Sequence, residues 1–424
     1  MIKCFEMENG IRVVLEQMPQ LRTAAFGVWI QVGSVNETKE NNGISHVIEH
    51  CLFKGTKTRS AKQLADEISA IGDQLNAFTG KECTAFYGVT LTEYLPKMME
   101  LVGDMLKNST FEEEPLRKEL GVILEEIDMY DDSPEDLVHE LVEKNVWKDH
   151  ALGYIISGEK KVVSGMTREQ LMEHMKRYYH GTNMVISIAG NFDETVVKHE
   201  LECHFSDIPK EGMGDKTADA ERKPEFYRCV CERKKDVEQL YMNLAFPTVS
   251  ERDDRHYIQI MANAVLGGSN NSLLFQQIRE DLGLAYSVYS YSSLYRHTGL
   301  FHVDVIVNPM NAVTVYEKLT EILRDFSKQT MKEEELLRLY HQLRIEMIMG
   351  SESARNRMER NAKALLTHGR IVTLDETLDK MSKVTAEDIR AYGEMYFCPE
   401  QAGICLVGEI TKEADAIKKY FKAV

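Results

Sequence analysis

The chain has 424 residues, too many for one ordinary hydrophobic core, so two or more domains are expected. Its 43% hydrophobic content marks a globular chain, and its formal net charge of −17 argues against nucleic acid and anionic membrane surfaces as partners. No apolar run approaches the ~20 residues of a membrane span. The first residues, MIKCFEMENGIRVVLEQM, carry neither a signal core nor an arginine-rich, acid-free targeting segment. The eight cysteines are scattered; only Cys229 and Cys231 are close, and as alternate strand residues they read as plain thiols. A cytoplasmic protein without disulfides is expected.

Residues 1–37 read as strands, with Arg12–Leu15 and the buried run Ala24–Val32 as their cores. A helix is predicted from about Ile44, within GISHVIEHCLFKG (residues 43–55). On it His46 and His50 are four residues apart and stack on one face, while Glu49 lies beside His50. Two neutral imidazoles and a nearby non-ligand carboxylate are what a hydrolytic zinc site needs. The histidines hold the metal and leave a position open, and the carboxylate takes a proton from water and later hands it to the leaving amine. H-x-x-E-H is the inverted zinc-peptidase signature.

Ser60 caps the next predicted helix, and 72–91 reads as a hairpin with a first strand Leu75–Thr79 and a turn near Gly80 and Lys81. Residues 115–130 (PLRKELGVILEEIDMY) have helical periodicity and place Glu119 and Glu126 two turns apart on one face, with Glu125 about a quarter-turn away. Carboxylates on a core-facing helix are costly unless paired or bound to a cation. Further helices reach Tyr179, followed by a strand Met184–Ala189 and a helix through about Cys203. Residues 206–226 are polar and charged and read as a linker.

The second half repeats the first. Met166–Leu171 aligns without gaps to Val384–Ile389, an offset of 218 (384 − 166) that also pairs Tyr178 with Tyr396 and Gly190 with Gly408. The fold class expected is α+β: two homologous α/β domains made by internal duplication, residues 1–205 and 227–424, joined by 206–226. Where the second copy should carry a metal helix it reads HYIQIMANAVLGG (residues 256–268), so the chemistry is assigned to the first copy. A glycine-rich turn at 267–270 leads into SLLFQQIREDLGLAYSVYS (residues 272–290).

These motifs resemble those of the pitrilysin/insulinase family of zinc peptidases, in the branch that includes mitochondrial processing peptidase β-type subunits and their bacterial relatives. The resemblance implies one Zn2+ per chain, held by His46, His50 and a glutamate some six dozen residues further on in an E-x6-E helix, which is Glu126, with Glu119 as the supporting upstream glutamate and Glu49 as the general base. It implies that Asn76, Ala77, Phe78 and Thr79 form an edge strand that pairs with extended substrate, and that Arg279 and Tyr286 come from the second domain to donate hydrogen bonds to the oxyanion or the substrate backbone. A clamshell with a closed chamber follows, acting on unfolded or extended peptides. A homodimer of active chains is expected, or a heterodimer with a related chain. The competing reading is a scaffold subunit of the same fold, against which the intact zinc-site positions argue. Presequence processing and general oligopeptide degradation fit equally.

Overall fold

The computed structural model describes residues 2–214 and 218–422. The chain divides into two compact units, the first made of Met1–Ile127, Tyr154–Ala220 and Ile348–Val372, the second of Asp128–Gly153, Glu221–Met347 and Thr373–Val424.

The first unit is built on strands β1 (Ile2–Glu6), β2 (Arg12–Gln17), β3 (Thr23–Ile30), β4 (Leu75–Thr79), β5 (Thr84–Leu91) and β6 (Met184–Gly190), in the order β1-β2-β6-β3-β5-β4. The run TAAFGVWI of β3 is apolar almost throughout because both faces of the sheet are covered. Phe26, Val28 and Ile30 point into the main core with helices Ile44–Leu52 and Glu113–Asp132, whereas Ala25 and Trp29 point to the other face. That second face is closed by helix Ala354–His368, whose Met358, Ala362 and Leu365 pack with Val14, Trp29 and Val185. Polar anchors fix the helix in register. Ser187 Oγ donates to the Met358 carbonyl at 2.8 Å, Arg12 to the Leu365 carbonyl at 2.9 Å, and the buried Glu16 carboxylate accepts from Arg357 and Asn361.

The second unit contains β7 (Val230–Lys234), β8 (Leu240–Thr248), β9 (Ala285–Leu294), β10 (Gly299–Val307) and β11 (Gly403–Gly408), in the order β7-β11-β8-β10-β9. This order matches β2-β6-β3-β5-β4, and in both sheets the first-named pair is parallel and the rest are antiparallel. The duplication extends to backbone detail. Gly190 and Gly408 end matching strands at φ +132° and +130°, and Thr167 and Thr385 cap matching helices by accepting the amide protons of Gln170 and Asp388.

The compact units nevertheless do not follow a single sequential cut. Helix Pro134–Val146 lies against β8 and β11 of the second unit, and helix Ala354–His368 lies in the first. Each sheet has a second face, apolar in the first unit and carrying the buried polar residues Asn243, His302 and Asp304 in the second, and in each case a helix from the opposite half of the sequence covers it. The segment read as a linker also starts as packed chain: Ile208 is buried in the first core, and Asn9 Nδ2 donates to the Phe205 and Ile208 carbonyls. Its residues 215–217 lie outside the described residues. All eight cysteines are free thiols. Among the described residues, no helix is long and apolar enough to cross a membrane.

Candidate metal centre

Helix Ile44–Leu52 begins after Gly43, whose left-handed backbone (φ +96°) lets the chain turn sharply into it. Gly43 has no side chain to cap the helix, and the orphan amides are met by Glu37 instead. Its carboxylate accepts from Gly43 N at 2.7 Å, Ser45 N at 3.0 Å and Asn42 Nδ2 at 2.9 Å. Burial pushes the Glu37 carboxyl up, against the pull of these hydrogen bonds. Ile44, Val47, Ile48, Cys51 and Leu52 bury one side of the helix and so fix where its histidines point. The rings of His46 and His50 sit 4.6 Å apart, edge to face.

The long helix Glu113–Asp132 buries Leu116, Leu120 and Ile123, which leaves Glu119 and Glu126 at the border of its apolar stripe. Glu126 Oε2 lies 3.4 Å from His50 Nε2 and 3.8 Å from His46 Nε2, and ligand atoms of the three residues all fall within 4.8 Å of one another. Two atoms bound to one tetrahedral zinc at ~2.0–2.1 Å are about 3.3 Å apart. Two imidazole nitrogens and one carboxylate oxygen at these separations fit a three-ligand catalytic site.

The surroundings tune each group. Burial, with help from the neighbouring His50, lowers His46 to about 4 and so keeps its imidazole in the neutral form that binds metal. Burial works against a charged His50 as well, but the hydrogen bond to Glu119 and the charges of Glu126 and Glu49 outweigh it and raise that pKa. His50 Nδ1 meets Glu119 Oε1 at 2.9 Å, which turns Nε2 toward Glu126. Glu119 is lowered despite its burial because His50 and Lys54 both bond it, Lys54 Nζ at 2.8 Å from Oε2. Glu49 is raised, chiefly by burial; Thr79 and His50 oppose this and Glu126 adds to it. The Thr79 hydroxyl donates to Glu49 Oε2.

The structure thus brings together His46, Glu49, His50, Thr79, Glu119 and Glu126. β4, carrying Asn76–Thr79, is the edge of its sheet and pairs only with β5 among the described strands. Its residues divide between two faces: Ala77 packs on the main core beneath the metal helix, whereas Phe78 packs on the opposite face, its ring 5.9 Å from Tyr87. Asn76 is exposed and accepts from Ala77 N. Arg279 and Tyr286 belong to the second unit. Arg279 sits in the helical turn Phe275–Glu280 over the Phe275 ring, and Tyr286, 76% exposed, is near the start of β9. Two contributors escaped the sequence reading. Lys54 stands one helical turn after His50, a spacing that could have revealed it, whereas Glu37 acts from an irregular segment with no period to read.

The insulinase (peptidase family M16) model matches residues 12–160, and the model described as the peptidase M16 inactive domain matches residues 165–343. An uncharacterized zinc protease of Bacillus subtilis is 38% identical over 402 residues, covering 95% of this chain and 97% of the relative. Another from Streptomyces coelicolor is 34% identical over 398 residues, covering 91% of this chain and 85% of the relative. A crystal structure of a protease from Helicobacter pylori shares the fold with a TM-score of 0.89 at 19% identity, over 96% of this chain and 99% of that one. From the H-x-x-E-H helix to the duplicated second half, the chain belongs to the insulinase (M16) peptidase family.

Proposed function

We propose that this chain is a zinc metalloendopeptidase that cleaves extended peptides. The observation that carries this reading is the convergence of the His46, His50 and Glu126 ligand atoms within 4.8 Å, with the Glu49 carboxylate alongside. Zinc, when bound, supplies the Lewis acidity that polarises a scissile carbonyl and activates water. The chain's own residues do the rest. Glu49 accepts the proton of the attacking water and delivers it to the nitrogen of the leaving amine, and its raised pKa suits a group that must both take and give a proton. Glu119 holds His50 in the tautomer that leaves Nε2 free as a ligand. The edge strand β4 offers backbone groups to an extended peptide, a grip that is indifferent to side-chain identity and unavailable to a folded domain. Arg279 and Tyr286 are assigned on resemblance as donors to substrate.

Glu49→Gln is the decisive test. The amide keeps the shape but cannot accept a proton, so zinc content should stay near one ion per chain while turnover of a peptide library falls ~10²–10⁴-fold or more. Near-native turnover by this variant would end the reading. Tyr286→Phe, with zinc content unchanged, should lower turnover if the hydroxyl contacts substrate. A scaffold role predicts instead that the parent chain, fully loaded with zinc, cleaves nothing.

A further inference from the structure

We infer that Lys54 is a positioning residue of the metal centre, acting through Glu119 on His50; this rests on the zinc reading above. Glu119 is buried, and both of its oxygens are used: one bonds His50 Nδ1 at 2.9 Å, the other Lys54 Nζ at 2.8 Å. The contrast with Lys118 and Glu114 on the same helix is informative. That pair is 2.7 Å apart, but its side chains are 71% and 69% exposed, so solvent would serve either partner alone. The Glu119 side chain is only 7% exposed, so water cannot readily replace the lysine on its outer oxygen.

Charge balance points the same way. Glu49, Glu119 and Glu126 bring three carboxylates to two imidazoles, and a divalent cation leaves that set one positive charge short. Lys54 supplies it, and the local backbone fixes where it stands. The end of the histidine helix is closed by hydrogen bonds from Phe53 N to the His50 carbonyl and from Lys54 N to the Cys51 carbonyl. Gly55, at φ +115°, follows directly, so Lys54 stands in the bend just past the helix end, two residues after Leu52. A neutral residue here leaves a buried carboxylate half-paired beside two others and loosens the bond that aims His50 Nε2 at the metal. Lost outer-shell partners of this kind weaken metal binding by ~10–100-fold.

The test measures the zinc dissociation constant of the full-length protein by competition with a chromophoric chelator, for the parent, Lys54→Met, Lys54→Gln, Lys54→Arg, Glu119→Gln and the Lys54→Met/Glu119→Gln double variant. Both neutral variants should bind zinc ~10–100-fold more weakly than the parent, and arginine should restore most of the affinity. In the Glu119→Gln background, adding Lys54→Met should change little, because the two act as one path. Melting of the zinc-free forms controls for folding, and the glutamine variant serves if the methionine variant does not fold. Parent-like zinc affinity in a folded neutral variant, or a full additional loss in the double variant, overturns the inference while leaving the zinc reading intact. Failure of the parent itself to bind zinc sinks that reading instead.

Discussion

Thr79, on the edge strand, donates its hydroxyl proton to the carboxylate of Glu49, on helix Ile44–Leu52. The strand that would hold substrate is therefore tied directly to the group that would move the proton. Hydrogen bonds to a charged partner contribute ~1.5–3 kcal/mol. Thr79→Val should thus lower kcat by roughly 10-fold or more, with little change in KM, because main-chain pairing to a peptide is untouched. Thr79→Ser keeps the hydroxyl and should recover most of the rate. A valine variant with parental kcat and a raised KM would make Thr79 a substrate contact only.

Acid should weaken the fold through His174. This side chain is buried on helix Arg168–Tyr178, 3.4 Å from Ser45 Oγ at the start of helix Ile44–Leu52. Burial, with a smaller push from Arg177, lowers its pKa to about 3, against an ordinary 6.5. Between those values the unfolded chain takes up a proton that the native chain refuses, so the stability is fully present above about pH 6.5 and drains away as the pH falls toward 3. His302, lowered to about 4 by burial, acts in the same direction. Urea midpoints at pH 7 and pH 4.5 should differ less for His174→Gln than for the parent. Equal slopes would remove His174 from the account.

The glycine pair that ends β6 and β11 should be intolerant in both copies. A Cβ at Gly190 would stand 2.5 Å from the Thr23 carbonyl oxygen, and one at Gly408 would stand 2.3 Å from that of Gln239, each on a left-handed backbone. Gly190→Ala and Gly408→Ala should each cost ~1–3 kcal/mol or more in urea denaturation. Gly121, inside helix Glu113–Asp132, has nothing within 4 Å of its would-be Cβ, and Gly121→Ala should stabilise by ~1 kcal/mol. Loss at Gly121 together with neutrality at the other two would contradict the packing described.

Removal of metal should be visible as lost stability. A ligand present at 100 times its dissociation constant stabilises the native state by ~2.7 kcal/mol. Thermal melts with added zinc and with a chelator should therefore differ in the parent, and the difference should collapse in His50→Ala and Glu126→Gln. Identical melts of the parent under both conditions would speak against a metal held by these residues.

The parts of the site that were legible in advance were those with a period. His46, Glu49 and His50 lie together on one helix and Glu119 and Glu126 share a face of another, so spacing marked each group, and the family resemblance joined the two and named Glu126 the third ligand. The strand alternation of residues 75–79 was equally readable. What escaped were pairings across space. The four-residue spacing from His50 puts Lys54 on the histidines' side but does not name its partner, 65 residues away (119 − 54) on another helix, and nothing local says that Glu37 will cap a helix it does not precede directly. The duplication was visible, but not which helix covers which sheet. Apolar faces on 134–146 and 354–368 say only that something must cover them, and an apolar stripe carries no address.

That absent address has a consequence in time. All the proposed metal ligands lie before residue 128, yet the sheet face bearing Trp29 is closed by residues 354–368. At translation rates of ~5–20 residues per second, the chain between the end of β6 and that helix takes roughly ten to thirty seconds to emerge. For that interval the nascent first unit presents Val14, Trp29 and Val185 uncovered, an apolar surface suited to a chaperone and vulnerable to aggregation. A chain interrupted in the 206–226 segment would hold every proposed ligand and still lack the helix that covers the second face of its sheet. Completion of the polypeptide is thereby built into the maturation of the site.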